Sequence, residues 1–297
     1  MISITVPATS ANMGSGFDSM GVALKLTNVI SMCPSDTIDI TALGGYKVRR
    51  DAGNLIYKTA AHIYELCGKT LSGLKIIEDA KIPKTRGLGS SSACIVAGIL
   101  GANEMLGRPL SRADIIDEAA RLEGHPDNVT PAIVGAVTVS VMSDGHVYYT
   151  KIKPLEKLGF IAFIPEFHLE TGRARAALRG YVSHEDARFN LSRAALLAAS
   201  LATGKFKNIN VAMQDKIHQK ERFAMIPGGE RLCAALRACG ALGTYISGAG
   251  PTIIAVCRDD STQLLRKISA RIGSEYDGWR IVPLDIAAGG ARVSIDK

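Results

Sequence analysis

The chain has 297 residues, of which 47% are hydrophobic and 5% are aromatic, and its formal net charge at pH 7 is +7. That hydrophobic fraction excludes a disordered chain, and the length suits one large domain or two packed domains with a substantial core. Aromatic residues are scarce and basic residues are dispersed, which argues against a nucleic-acid-binding module. The positive charge indicates either plain solubility or the attraction of an anionic small molecule.

The cysteines and the first residues indicate the cellular setting. None of the six cysteines has the C-x-x-C or cysteine–histidine spacing of a metal site. The first residues show no basic segment followed by an apolar stretch, and no apolar run reaches the length of a membrane span. We therefore expect a cytoplasmic protein with no structural metal, no membrane partner and no nucleic-acid partner. The sequence leaves a homodimer open.

Strands and helices are predicted along the whole chain. Alternation of Ile2, Ile4 and Val6 with polar residues predicts a strand that ends at Pro7. The other predicted elements, in order, are a helix over 55–66, a strand over 74–82, a buried helix over 90–106, a helix capped by Ser111 and ended by Gly124, a hairpin over 137–152, a strand over 160–164, helices over 170–178 and 190–203, strands over 245–247 and 252–257, a helix over 262–272 and a strand over 280–286. The order at the end of the chain favours a split α/β sandwich, and we place a domain boundary within 153–159.

The most informative segment is residues 83–93, where glycines and serines directly precede the long buried helix. The start of a helix offers unpaired N–H groups and a partial positive charge, so it binds phosphate well. Glycines let the backbone approach phosphate oxygens, and serine hydroxyls add donors and a possible magnesium ligand. The P-loop and protein-kinase signatures are absent. Because Ser90, Ser91 and Ser92 cannot all be helix caps, the segment predicts a nucleotide phosphate site.

An acidic loop follows the next predicted helix. Glu123 lies in the last turn of that helix, where a carboxylate opposes the negative end of the helix dipole. A residue that breaks a local rule is a candidate for function, and magnesium at ATP sites takes carboxylate ligands, so Glu123 fits that role. His125, Asp127 and Asn128 can hydrogen-bond a polar small molecule, although a turn, a helix cap and an Asx-turn explain them equally well.

Two further loops carry small and polar residues. Residues 7–18 follow the first strand and contain Ser10, Asn12 and Asp18, of which Asp18 is suited to pair with a substrate ammonium group. Residues 247–252 lie between two predicted strands, where they form either a tight turn or one wall of a cleft beside the phosphate loop.

Two arginines complete the set of candidates. Thr171 and Arg175 are one helical turn apart and share a face. Arg175 or Arg222 can form a bidentate pair with a carboxylate, although each arginine taken alone is typical of a protein surface.

Together these segments resemble the three motifs of the GHMP kinase superfamily and, within it, those of the homoserine kinases. Residues 7–18 are similar to P-A-T-S-A-N-L-G-x-G-F-D, residues 83–93 to the P-x-x-x-G-L-G-S-S-x-A phosphate loop, and residues 247–252 to the third motif. Ser15 departs from the proline common among relatives, and we expect only a backbone adjustment there. The short link around Glu123 is similar to one branch of the superfamily, whereas other branches have a longer insert.

The resemblance implies an α+β, two-domain GHMP kinase fold, divided at 1–155 and 156–297. Its N-terminal domain is expected to be like ribosomal protein S5 domain 2, and its C-terminal domain ferredoxin-like. The implied activity is ATP-dependent phosphorylation of L-homoserine to O-phospho-L-homoserine in threonine biosynthesis, with ATP and Mg²⁺ as cofactors. A GHMP kinase acting on a different small alcohol and a non-catalytic nucleotide-binding regulator stay open as alternatives.

The resemblance also assigns the site residues. ATP is assigned to Asn54, Pro83, Lys84, Thr85, Arg86, Gly87, Leu88, Gly89, Ser90, Ser91, Ser92 and Ala93, and the metal to Ser92 and Glu123. The homoserine pocket is assigned to Asn12, Asp18, His125, Asn128, Thr171, Arg175 and Arg222, to which the two loops add Asp127 and Gly248. Catalysis is expected to depend on Asn12, Glu123, Asn128 and Arg175. The first motif offers no lysine, so we predict that no side chain is an obligatory general base.

Overall fold

The protein is described by a computed structural model that covers residues 1–154, 157–258, 261–269, 271–272 and 274–295. Within those ranges the strands are β1 (Ile2–Ala11), β2 (Met20–Pro34), β3 (Ile38–Ala42), β4 (Leu74–Asp79), β5 (Val137–Ser143), β6 (His146–Ile152), β7 (Leu158–Ile164), β8 (Gly243–Ile246), β9 (Ile253–Arg258), β10 (Arg280–Asp285) and β11 (Arg292–Ile295). The α-helices are α1 (Leu55–Leu66), α2 (Ser90–Met105), α3 (Arg112–Glu123), α4 (Pro126–Val134), α5 (Thr171–Ala176), α6 (His184–Thr203), α7 (Ile209–Ala212), α8 (Gln219–Phe223), α9 (Gly229–Ala238) and α10 (Ser261–Ser269).

The described strands form two sheets. The first has the order β11-β1-β2-β4-β3, with the β5–β6 hairpin attached to β2. The second is antiparallel, with the order β10-β7-β9-β8. The predicted domain boundary at residues 155 and 156 lies outside the described residues. The last strand returns to the first sheet, where Ile295 pairs with Ile2, although the predicted division places β11 in the second domain.

The helix that carries the phosphate loop is held in the core of the first sheet. α2 packs against β1 and α1, and ten of its residues are buried, which is why its sequence is apolar on nearly all sides. Gly98 faces Thr59 of α1 and Gly101 faces Met32 of β2, so these two glycines allow the close packing. The burial of α2 fixes the position of its N-terminal end.

Most predicted elements are confirmed, although the structure shifts several of their ends and adds seven described strands and α-helices. β1 does not end at Pro7 but continues to Ala11, because a bulge between Pro7 and Ala8 accommodates the missing proline N–H. The sequence predicted none of the described elements β2, β3, α4, α7, α8, α9 and β11. The α3 capping box at Ser111 and Asp114 is confirmed. Among the described helices, none combines the length and the apolar composition needed to cross a membrane.

Candidate active site

A cleft containing about 670 Å³ of empty space, part of it open to solvent, lies at the N-terminal end of α2. It is bounded by the loop after β1, the phosphate loop, the start of α4, the start of α5, α8 and the loop between β8 and β9. The residues that line it are Ala11, Asn12, Asp18, Thr85, Arg86, Gly87, Gly89, Ser90, Ser91, Ser92, Glu123, His125, Asp127, Asn128, Thr171, Arg175, Arg222, Gly248 and Ala249. The three predicted loops therefore meet at one site.

The phosphate loop depends on two glycines. Gly87 and Gly89 have φ values of 75° and 72°, in the left-handed region that favours glycine. A Cβ atom on Gly87 would overlap the carbonyl oxygen of Ser247, and one on Gly89 would overlap the Thr9 hydroxyl. Gly89 is the N-cap of α2 and makes no side-chain cap, so the first N–H groups of the helix are left to a ligand. This end of α2 is suited to bind phosphate.

A chain of buried hydroxyls links the phosphate loop to the second sheet. Ser247 Oγ donates to the Gly87 carbonyl at 2.5 Å, so it must accept from Ser10 Oγ, which lies at 2.7 Å. Ser10 Oγ in turn accepts from the Tyr245 hydroxyl at 2.9 Å. Burial raises the pKa of Tyr245, so its hydroxyl keeps its proton. The first and third motifs thus hold the loop from both sheets.

A serine and a glutamate face each other beside the loop. Ser92 Oγ donates to Glu123 Oε1 at 2.8 Å. Burial raises the pKa of Glu123, against hydrogen bonds from Ser92 and Ser91 and the charge of His125, which favour the carboxylate. A nearby cation would offset the cost of burying that carboxylate. These two side chains supply the oxygen donors that magnesium prefers.

The start of α4 presents an ion pair and an amide. His125 Nδ1 and Asp127 Oδ1 are 2.6 Å apart. Burial opposes a charge on His125, but the hydrogen bond to Asp127 and the charges of Asp127 and Glu123 outweigh it and raise the His125 pKa. Asn128 Oδ1 accepts from the Thr9 hydroxyl at 2.8 Å, which fixes the orientation of its amide.

An arginine–aspartate pair closes the opposite wall of the cleft. Arg175 donates two parallel hydrogen bonds to Asp18, both of 2.9 Å, and this bond is the main cause of the raised Arg175 pKa. Asn12 Oδ1 accepts from the Asp18 N–H at 3.0 Å, and Asn12 Nδ2 donates to the Gly248 carbonyl at 3.0 Å. Asn12 and Asp18 both have positive φ, at 68° and 53°, which turns the loop toward Arg175. Thr171 lies one turn before Arg175 on α5.

Arg222 lies below this pair and is only 2% exposed. Its Nη1 donates to the Gly248 carbonyl at 2.7 Å and contacts His218 Nδ1 at 3.0 Å. The side chain also lies over the Phe17 ring, 5.4 Å from its centroid. Burial and the charge of Arg175 lower the Arg222 pKa to about 10, so the guanidinium stays charged at neutral pH.

Several residues assigned to ATP have side chains that contact other parts of the protein. Arg86 Nε donates to the Pro165 carbonyl at 2.9 Å and its Nη2 to Glu166, so the side chain braces the loop against the second sheet. Lys84 Nζ donates to the Lys47 carbonyl at 2.7 Å. Leu88 and Ala93 are core residues, and Pro83 lines a neighbouring groove. Lys84 nevertheless lines the hollow beside Asn54, and Arg86 lines the cleft.

Asn54 caps α1. Its Oδ1 accepts from Ile56 and Tyr57, and its Nδ2 donates to Arg49 and Glu78, so all of its polar atoms are used. It borders a hollow of about 640 Å³ that shares residues of the phosphate loop with the main cleft. Asn54 therefore shapes this hollow through the start of α1.

Two carboxylates and a histidine form a second cluster of possible metal ligands. One ligand atom each from Asp18, His125 and Asp127 lies within 4.8 Å of the others. Asp18 is already paired with Arg175 and Asp127 with His125, and magnesium favours oxygen over nitrogen donors. Ser92 and Glu123 are the better match to magnesium.

Sequence reasoning missed three residues that shape the site. Thr9 orients Asn128, and His218 and Phe17 contact Arg222. Thr9 and Phe17 belong to the first motif, which was the available signal, whereas His218 lies four residues before Arg222 with no signal of its own. Ser15, which departs from the motif, is buried and donates to the Ala212 carbonyl at 2.6 Å.

Comparison with known families defines the class of the fold. The chain matches the model of the GHMP kinases N terminal domain over residues 54–136 and that of the GHMP kinases C terminal over residues 196–273. The class is therefore that of the GHMP kinases, in agreement with the mixed α/β architecture of two sheets.

Individual relatives narrow this class. The homoserine kinase of Clostridium beijerinckii is 38% identical over 295 residues, covering 99% of this chain and 98% of that protein. The crystal structure of homoserine kinase from Cytophaga hutchinsonii has a TM-score of 0.85 at 27% identity, covering 99% and 97% of the two chains. A putative homoserine kinase structure from Listeria monocytogenes has a TM-score of 0.83 at 29% identity, with 100% of both chains covered. The chain belongs to the homoserine kinase family.

Proposed function

We propose that the chain transfers the γ-phosphate of ATP to the side-chain hydroxyl of L-homoserine, forming O-phospho-L-homoserine for threonine biosynthesis. The observation that carries the proposal is the meeting of two unlike surfaces in one cleft. One surface is the N-terminal end of α2 with its glycines, which favours a polyphosphate. The other is the Asp18–Arg175 pair above the buried Arg222, which favours a zwitterion.

The nucleotide is expected to lie along the phosphate loop. Backbone N–H groups at the start of α2 bind the phosphate oxygens, and Ser90 and Ser91 add hydroxyl donors. The adjoining hollow beside Asn54 is lined in part by Leu55 and Cys94, which suits an adenine ring. The hydroxyl chain from Tyr245 holds the loop in place before the nucleotide binds.

Magnesium fits the oxygen donors of Ser92 and Glu123. The fit rests on a buried carboxylate whose nearest partner is a hydroxyl and not a cationic side chain. When bound there, magnesium would neutralise phosphate charge. The protein contributes the position of Glu123, which the α3 capping box and the Gly124 end of that helix fix.

The amino-acid end of homoserine is expected to enter the Asp18–Arg175 pair. Its carboxylate would replace Asp18 as a partner of Arg175 and would meet Arg222, while its ammonium group would pair with the released Asp18. An alcohol without these two charges would break the ion pair without replacing it. This exchange favours homoserine over mevalonate, shikimate or a sugar as the acceptor.

Phosphoryl transfer has a loose transition state, so positioning and charge neutralisation supply most of the acceleration. Asp127 is a candidate general base because its carboxylate lines the cleft. Its Oδ1 already contacts His125, however, and this contact helps to raise the His125 pKa. We therefore retain the hypothesis that the hydroxyl proton passes to a phosphate oxygen or to solvent.

Phosphorus NMR of the product from ATP, Mg²⁺ and homoserine tests the proposal directly. We expect one phosphomonoester signal with the chemical shift of authentic O-phospho-L-homoserine. A panel of mevalonate, shikimate and sugars should give rates at least about 100-fold lower, the discrimination expected when buried polar groups lose their partners. ATP binding by calorimetry without transfer to any hydroxy amino acid would instead favour a nucleotide-binding regulator.

A further inference from the structure

His218 lies behind Arg222, outside the residues that line the cleft. Its side chain is fully buried, and the ring stacks on Phe17 with centroids 5.0 Å apart and planes 22° apart. Its backbone N–H donates to Asp215 Oδ2 at 2.8 Å, so the start of α8 is fixed as well. The imidazole is therefore held in one position by stacking and by its backbone.

Both ring nitrogens of His218 have partners that fix the tautomer. Nε2 lies 2.8 Å from the Gly14 carbonyl, which can only accept, so Nε2 carries the proton. Nδ1 lies 3.0 Å from Arg222 Nη1, which can only donate, so Nδ1 carries a lone pair. The two contacts together require a neutral imidazole protonated at Nε2.

This acceptor determines where the Arg222 guanidinium points. Its Nη1 is held between His218 Nδ1 and the Gly248 carbonyl, both of which are fixed. Arg222 Nε is buried and finds no hydrogen-bond partner within the described part of the chain. Nε is closed to solvent, but Arg222 also lines the cleft, so its guanidinium borders the space that a ligand carboxylate would occupy.

We propose that His218 is a positioning residue, whose Nδ1 lone pair aims Arg222 at the carboxylate of the acceptor and so sets selectivity for an amino-acid alcohol. The inference rests on the proposed function, because it assumes that the acceptor carries a carboxylate. His218 does not touch the acceptor; it acts through Arg222.

Two substitutions separate the two ring nitrogens. His218→Asn places an amide oxygen near the position of Nδ1, so Arg222 keeps an acceptor while the contact with Gly14 is lost. His218→Gln places an amide nitrogen near the position of Nε2, so the Gly14 contact is kept while the acceptor for Arg222 is lost. Both variants replace the buried ring by a polar amide and lose the stacking on Phe17, so each is the control for the other.

The readout is the ratio of kcat/KM for homoserine to kcat/KM for 3-aminopropan-1-ol, which has the same hydroxyl and ammonium groups but no carboxylate. We expect His218→Gln to lower this ratio about 10- to 100-fold, the range for one hydrogen bond to a charged group, with the KM for ATP unchanged. We expect His218→Asn to keep the ratio within about threefold of the wild type, because the asparagine oxygen still accepts a hydrogen bond from Arg222. Equal losses in both variants, or no loss in either, would overturn the proposal.

A measurement on the unmodified protein covers the case in which a variant does not fold. Nitrogen-15 NMR at pH 7.5, with the His218 signal assigned by its loss in a variant that folds, should show this ring neutral, protonated at Nε2 and coupled through Nδ1 to the Arg222 guanidinium. Protonation at Nδ1, or no coupling, would contradict the proposal. If the wild type does not phosphorylate homoserine at all, the proposed function fails, while this NMR result still reports on the His218–Arg222 contact by itself.

Discussion

The Ser92 hydroxyl donates to Glu123 Oε1 across 2.8 Å and so joins the first turn of α2 to the last turn of α3. The bond places the half-buried carboxylate at the end of α3 beside the phosphate loop. Nothing about the α3 helix alone favours an acidic residue at that end, because the helix dipole opposes it. The position of Glu123 is therefore explained by the site beside it and not by the stability of α3.

Replacement of Glu123 by glutamine should weaken the use of magnesium–ATP. The amide keeps the Ser92 hydrogen bond but removes the charge, so we expect the magnesium concentration for half-maximal activity to rise at least about tenfold. Glu65→Gln, on the exposed side of α1, is the control and should leave this value unchanged. An unaltered magnesium dependence in Glu123→Gln would remove this residue from the metal site.

Replacement of Asp127 by asparagine tests the absence of an obligatory base. The amide can still bond His125, so we expect turnover with homoserine to fall by less than about 100-fold, the lower limit of general-base contributions. Asp144→Asn at the exposed tip of the β5–β6 hairpin is the control for a carboxylate lost elsewhere. A fall of about 10⁴-fold in kcat would show that Asp127 is the base.

Replacement of Arg175 by lysine should affect the acceptor and not the nucleotide. A lysine cannot form the two parallel bonds that Arg175 offers, so we expect the KM for homoserine to rise about 10- to 100-fold. The KM for ATP should change by less than about twofold, because no phosphate contact is expected of this residue. Arg173→Lys, on the same helix, is the matched control. Equal effects on both KM values would argue against a carboxylate clamp.

Replacement of Gly87 by alanine should destabilise the phosphate loop. Gly87 and Gly107 have similar positive φ values of 75° and 82°, but only a Cβ at Gly87 meets another group, the Ser247 carbonyl. Gly107→Ala should cost about 1–2 kcal/mol in the free energy of unfolding, the strain of that backbone region alone. Gly87→Ala should cost more, and should also raise the KM for ATP. Equal unfolding free energies for the two variants would show that the loop adapts to the extra atom.

The pH dependence of stability should report on His218. Burial and the charge of Arg222 lower its pKa in the folded protein, against the charge of Asp215, below the ordinary value of 6.5. The unfolded chain then binds a proton that the folded chain does not, so His218 makes the protein less stable as the pH falls below 6.5. Between pH 7.5 and 5.5, the wild type should lose more unfolding free energy than His218→Asn, by at most about 1.4 kcal/mol for one proton, as chemical denaturation can measure. An equal loss in both proteins would mean that the folded protein does not hold this imidazole neutral.

Local patterns in the sequence were sufficient to predict the phosphate loop and the helices next to it. The glycines and serines of 83–93 precede a helix in the sequence and in the structure, and α1 has the predicted bounds. The three motifs of the resemblance also meet in one cleft, which no single motif could indicate.

What the sequence could not provide was mostly long-range pairing. β11 is too short and too polar to be recognised without its partner β1, and β2 mixes alternating and continuous apolar runs. The roles of side chains inside a motif were equally hidden. Arg86 braces the loop through the Pro165 and Glu166 carbonyls, a role that its place in the phosphate segment did not indicate.

The pairing of β11 with β1 has a mechanical consequence. The polypeptide passes from the first sheet to the second after β6 and returns after β10, so two covalent connections join the bodies that enclose the cleft. A body attached at two points can rock about the line between them but cannot swivel freely. The two crossings therefore restrict how far the walls of the cleft can rotate relative to each other, which keeps the phosphate loop aligned with the acceptor side.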